Sequence, residues 1–301
     1  MIINPIYKRE MTVSSRSMKT ALIITGFNTI LAIVALVSMG VTVNQIELTA
    51  EIQYTSFLNI FRFVASIQFV LILFIMPSLT AGSISGERER KTLDLMMTTE
   101  MTTADIIIGK LIASLSMIFI LVISSTPITA LVFVYGGVTI SDILLLFLCY
   151  FIEAIFIGSI GIYASSICKR TTVSTALTYG FVVLLSFGTI AINLFIKGLV
   201  NSSYIQNYSN TDNVSLGMGA YSMLLNPITT FYAVINSMTG EKNAIQSVIE
   251  TLGYSSVNYS KFNWFAIGSI VQIVLAIIMI VLAIRTINPR RLVKKTNYKN
   301  V

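Results

Sequence analysis

The sequence predicts an all-α integral membrane protein with six transmembrane helices, and three observations carry that prediction. Mean hydropathy is +0.82. Hydrophobic residues make up 55% of the 301 positions and charged residues 11%, the balance of a polytopic membrane protein and not of a soluble domain with a large core. Apolar runs of bilayer-spanning length alternate with short polar segments, and Lys and Arg gather on one side of the threading those runs impose.

Residues 4–19, NPIYKREMTVSSRSMK, are too polar to span. Lys8, Arg9, Arg16 and Lys19 alternate there with Ile6, Tyr7, Met11 and Met18. That mixture reads as an interfacial helix over residues 1–20. No small-residue cleavage site follows the apolar run, so a cleavable signal is not expected. Spans are expected at about 21–41, 63–84, 111–135, 143–167, 173–196 and 264–284. Pro77 should kink the second near its inner end and Pro127 the third. A tight turn over 136–142 joins the third to the fourth, Lys169 and Arg170 close the fourth, and 285–301 form a basic tail.

Between the second and third spans lies the densest charge in the chain, GERERKTLDLMMTTEMTTADIIIGK at 86–110, within a loop expected over 85–110. Glu87, Arg88, Glu89 and Lys91 stand beside Leu93, Leu95, Met96 and Met97. A single helix through 87–98 would be short and amphipathic and would lie on the membrane surface. Thr102 or Thr103 is the expected N-cap of the next helix, with Asp105 in its first turn. This is the form of a docking element between a membrane domain and a soluble partner.

With the N-terminus inside, inner segments hold sixteen of the 20 Lys and Arg residues, and outer segments hold only Arg62, Lys197, Lys242 and Lys261. Both termini and the 85–110 loop are therefore expected in the cytoplasm. The outer segment 197–262 contains a further apolar stretch, 216–238. A seventh crossing there would put the basic tail outside, and Asn226-Pro227 breaks the stretch in its middle. A re-entrant or interfacial hairpin fits better. The sequons at Asn201, Asn207, Asn213 and Asn258 reflect the Asn/Ser richness of this segment.

Much chemistry is excluded. The chain has no His, which removes the commonest general base and metal ligand, and no metal site is expected. The two cysteines, Cys149 and Cys168, are too far apart along one helix to pair. No HExxH occurs, and Gly82-Ser83-Ile84-Ser85-Gly86 places Ile where a nucleophile elbow needs Ser. No catalytic residue is assigned. Lys91-Thr92 is preceded by Gly86, Glu87, Arg88, Glu89 and Arg90, whereas a phosphate-binding loop needs small residues and a Gly before the Lys.

Glu153 falls near the midplane of the fourth span, where a carboxylate is costly. Gln272 lies at comparable depth in the sixth span and has the chemistry to hydrogen-bond it; Gln68 and Asn193 pose the same question nearer the outer side. Glu153, Gln272 and Gln68 are candidates for lining a pathway, as substrate or proton contacts. A hydrogen-bonded carboxyl that holds helices together is the competing reading. Tyr204, Tyr208, Tyr221, Phe231, Tyr232, Tyr254, Tyr259 and Trp264 suggest an outer aromatic belt, or a lid over the exit.

The order of parts resembles the permease subunit of an ABC-2 type exporter, the type V ABC transporter fold. Its loop pattern is matched by Glu87-Arg88-Glu89, Thr92-Leu93-Asp94-Leu95-Met96, Thr99-Glu100-Met101-Thr102 and Gly109-Lys110-Leu111. Asp94 replaces the usual Glu, Met96 and Met97 replace leucines, and Glu100 stands where Pro is common. The hairpin break at Asn226 and Pro227 is a second, weaker match. The resemblance covers most of the chain as a single transmembrane domain, 1–301, and implies ATP-driven transport with a coupling helix in the cytoplasmic loop. Glu87, Arg88, Glu89, Lys91, Leu93, Leu95, Met96 and Met97 would then dock a separate ATPase subunit. The apolar face of Leu93, Met96 and Met97 would fill a groove while the charges set register.

ATP and Mg2+ would be bound by the partner ATPase and no cofactor by this chain. A second permease would complete the complex as homodimer or heterodimer, and no nucleic-acid partner is implied. The abundance of Ile, Asn, Lys and Tyr suggests a low-GC bacterium and hence its plasma membrane. The alternatives are a proton-coupled secondary transporter, or a membrane sensor or immunity protein, using Glu153. No internal repeat or further intramembrane charge favours the transporter.

Overall fold

A computed structural model describes residues 5–49, 54–98, 101–130, 139–207, 221–238 and 263–287. It is 92% helical, with no strand among the described residues, and six helices are long and apolar enough to cross a membrane. Helix α1 (Pro5–Ser15) precedes α2 (Met18–Thr49) and α3 (Tyr54–Thr80). Two short helices, α4 (Ser85–Glu89) and α5 (Thr92–Met97), lead into α6 (Thr103–Ser124). Then come α7 (Ile140–Ile167), α8 (Thr171–Val183), a π turn (Leu184–Gly188) and α9 (Thr189–Asn207). A 3-10 turn (Ser222–Leu225), α10 (Pro227–Met238) and α11 (Trp264–Ile287) complete the described chain. Apolar side chains remain exposed along the spanning helices, Leu36 at 70% and Phe74 at 63% among them, as expected of surfaces that meet hydrocarbon and not water.

Several boundaries differ from the sequence reading for identifiable reasons. The 87–98 stretch is not one helix: Lys91 adopts a left-handed backbone (φ 57°), which ends α4 and forces α5 to start afresh. The helix of the third span runs Thr103–Ser124 and is followed, after a turn at Ser125, by further helix over 126–130; 131–135 of the expected 111–135 span lie outside the described residues. That helix begins at the expected cap, where Thr102 and Asp105 form a reciprocal capping box, each side chain accepting from the other's backbone N–H. The turn at Ser125 falls where Pro127 was expected to kink the span: Pro127 has no N–H to return to Ile123, and Ile128 and Thr129 donate to the Ser125 carbonyl as the helix resumes. Pro77, by contrast, stays inside α3. The first span's helix continues to Thr49 and the fifth's to Asn207, so helix replaces part of two segments expected to be loop. Helix α7 ends at Ile167, leaving Cys168 just beyond it; both cysteines are buried free thiols.

The chain divides into two compact units. Unit 1 comprises 1–138, 154–179 and 275–301. In it α1 packs along α6, and α3 against α2 and α6. Asn28 of α2 donates to the Ser124 hydroxyl at 2.9 Å, and Gln68 of α3 to that of Ser125 at 2.9 Å. At Gly161 a Cβ would collide with the Thr80 side chain, so only glycine lets α3 and the second half of α7 approach so closely. Unit 2 comprises 139–153 and 180–274. Its α7 segment is started by Thr139, whose N–H and hydroxyl both donate to Asp142 at 3.0 and 2.6 Å.

The break at Asn226-Pro227 organises unit 2. Asn226 is extended (ψ 119°), as the residue before a proline prefers, and Pro227 opens α10 where its missing N–H costs nothing. The Asn226 side-chain oxygen accepts from Ile228 N–H at 2.8 Å. Its amide donates to the Ser186 carbonyl and the Thr189 hydroxyl, both at 2.8 Å. Ser186 lies in the π turn, where the widened spacing disturbs the helical ladder. One asparagine thus starts α10 and satisfies the irregular turn of the fifth span. Of the 216–238 stretch, 216–220 lie outside the described residues, as do the sequons at Asn213 and Asn258, the aromatics Tyr208, Tyr254 and Tyr259, and the tail from 288 onward.

Candidate functional site

The 85–98 segment of unit 1 is held by its own charges. Arg88 and Glu89 are adjacent and opposite, and each serves a different helix end. The Arg88 guanidinium donates to the carbonyls of Cys168 (2.8 Å) and Ser166 (3.0 Å), at the C-terminus of α7. Glu89 accepts from Thr171 N–H and its hydroxyl, both at 3.0 Å, at the N-terminus of α8. A cation on orphan carbonyls and a carboxylate on orphan N–H groups match the sign of the helix dipole at each place.

Lys110 of α6, only 3% exposed, binds Glu10 of α1 at 2.8 Å and Glu87 of α4 at 3.4 Å. Thr92 ties the other Glu87 oxygen to the start of α5. The Ser165 hydroxyl accepts from both Ile84 N–H and Ser85 N–H at 2.9 Å, steadying the entry to α4. The segment is therefore fastened to α1, α6, α7 and α8. Arg90, Lys91, Asp94, Leu95 and Thr98 face outward, Leu95 being 67% exposed.

Leu93 departs from the groove-filling role expected of it: it is 6% exposed, buried within this chain. Leu93 and Leu95, two positions apart, lie on nearly opposite sides of α5, the first inward and the second outward. Met96 and Met97 are half-buried.

The pathway candidates fall in different units. Gln68 belongs to unit 1, where it bonds Ser125. Glu153 and Gln272 share a buried cluster in unit 2, with relative exposures of 1% and 0%. Thr230 of α10 joins them: its hydroxyl contacts one Glu153 oxygen and accepts from the Gln272 amide at 3.3 Å. Gly268 makes this possible, because a Cβ there would press into the Thr230 methyl. Tyr150, one turn before Glu153, stacks on Phe231 with ring centroids 6.2 Å apart. Phe231 and Trp264 are buried, whereas Tyr221 and Tyr232 are exposed, so these aromatics do not form a uniform outer belt.

The family described as ABC-2 family transporter protein matches residues 4–286. The chain belongs to the ABC-2 transporter family. It is a multi-pass membrane protein and the permease component of an ABC transporter. No curated protein matches it. The match in this ABC-2 permease runs through the 85–98 segment and the Glu153 cluster alike.

Sequence reasoning passed over Thr230, Ser165, Thr171 and Gly268. Thr230 had a visible signal, standing one helical turn after Asn226 on the same face of a short apolar helix. Ser165, Thr171 and Gly268 had none, since their roles depend on partners about 40 to 80 residues away.

Proposed function

We propose that this ABC-2 permease forms the membrane pathway of an ATP-driven exporter and works with a separate ATPase subunit. The ATPase docks on the 85–98 segment at the cytoplasmic face of a bacterial plasma membrane. The observation that carries the reading is the division of labour in that segment. Arg88, Glu89 and Glu87 fasten it to helix ends and to Lys110, while Arg90, Lys91 and Leu95 stay outward. A partner that presses there pushes on a part already joined to the spanning helices. ATP and Mg2+ belong to that partner, and two permeases with two ATPases complete the assembly.

The socket for this surface is apolar at its centre for Leu95 and acidic at its rim for Arg90 and Lys91. The test is co-purification in mild detergent. Wild type is expected to carry a P-loop ATPase in stoichiometric amount. The variant Leu95→Asp with Arg90→Glu should lose it at least tenfold with thermal stability unchanged, because neither side chain is buried. Retention of the ATPase by this variant would move the docking site elsewhere. Substitution of Leu93 is the wrong test, since its burial makes loss of binding and loss of folding indistinguishable.

A further inference from the structure

We propose that Glu153 holds an exchangeable proton that it donates to Thr230, which makes the joint between α7 and α10 a proton-binding site. Counting hydrogens leads there. The Thr230 hydroxyl owns one hydrogen and already accepts from the Gln272 amide at 3.3 Å. It also lies 2.8 Å from the Pro227 carbonyl, the usual back-bond of a helical threonine, and 3.5 Å from that of Asn226. A hydrogen spent on Pro227 leaves the close contact with the Glu153 carboxyl as oxygen against oxygen. The same hydroxyl is placed to donate to a Glu153 carboxylate instead, but while it keeps its back-bond to Pro227 the contact is bonded only when the carboxyl carries the hydrogen.

Counting charge gives the same answer. Among the described residues no basic side chain pairs with Glu153. Glu153 Oε2 has no hydrogen-bond partner among them, nor do Gln272 Oε1 and Ser269 Oγ. A bare anionic oxygen 1% exposed in mid-span is very costly, and the carbonyl oxygen of a neutral acid much less so. Ser269 is three residues before Gln272 on the same face of α11, so the orphaned acceptors gather at one joint.

The titratable groups facing this joint are Cys149 and Tyr150 on α7, both buried and both uncharged at neutral pH. Helix α10 adds only Tyr232, which is exposed, and the part of α11 in unit 2 adds none. Loss of the proton therefore leaves the joint with a charge that no neighbouring cation offsets, and the Thr230 hydroxyl must turn from Pro227 to donate to the carboxylate.

The test is infrared difference spectroscopy on the full chain, as isolated from membranes and placed in lipid nanodiscs, on changing from acidic to alkaline buffer. A neutral-carboxyl carbonyl band is expected to disappear on alkalinisation. It should be absent in Glu153→Gln, shifted in Thr230→Val and back at its wild-type position in Thr230→Ser. If Glu153→Gln does not fold, the Val and Ser variants carry the test, because Ser keeps the hydroxyl. A spectrum with no band that responds to these changes overturns the proposal. So does a band abolished when sodium replaces choline at constant pH, which would make an alkali cation the resident ligand.

Discussion

Two neighbouring residues show how much a sign of charge decides. Arg88 sits on the last carbonyls of α7 and Glu89 on the first N–H of α8. Exchanging them, as Arg88→Glu with Glu89→Arg, preserves composition and net charge but sets the wrong sign against both helix ends. Two sets of charge-assisted hydrogen bonds are lost, and the expected destabilisation is about 2–4 kcal/mol. A marked fall in the melting temperature of the purified protein would register it. An unchanged melting temperature would mean that these bonds add no net stability. Reading the sequence revealed the charges but assigned all of them to a partner. Their targets are backbone groups about 80 residues away, and backbone groups leave no trace in a sequence. Glu153 was legible for the opposite reason: a carboxylate amid apolar residues is conspicuous wherever its partners lie.

At the level of elements, the spans followed from apolar length and their ends from capping chemistry. Thr102 with Asp105 is a signature that can be read directly. The division of the 85–98 helix into α4 and α5 could not be read, because it rests on a lysine in a conformation that lysine disfavours. That residue makes the division testable. Lys91→Gly is expected to hold or raise stability by up to about 1 kcal/mol, and Lys91→Ile to lower it by about 1 kcal/mol or more. Equal melting temperatures for the two variants would argue for a continuous helix. Gly161 and Gly268 mark the complementary case, in which an element's position depends on an absent side chain. A glycine in an apolar run looks the same in sequence whether another helix touches it or not.

For the whole molecule, composition alone was enough to give the class, and the distribution of Lys and Arg gives an orientation that can be checked. Leu95→Cys should react with a membrane-impermeant maleimide in inverted vesicles and not in intact cells. The native Cys149 and Cys168 are buried and contribute little background. Labelling from outside the cell would reverse the topology and, with it, the place of the ATPase. The division into two units was beyond the sequence, since α7, α8 and α11 each contribute to both and no turn marks where they pass from one to the other. The ion pair between Glu10 and Lys110 bears on how the protein is made. These partners are 100 residues apart, so α1 emerges from the ribosome well before the helix it rests on. At about 5–20 residues per second, the wait is on the order of 5–20 s, two spans long. Through that interval the first helix has only the membrane surface for company, which gives its alternation of basic and apolar residues a task before the protein is folded.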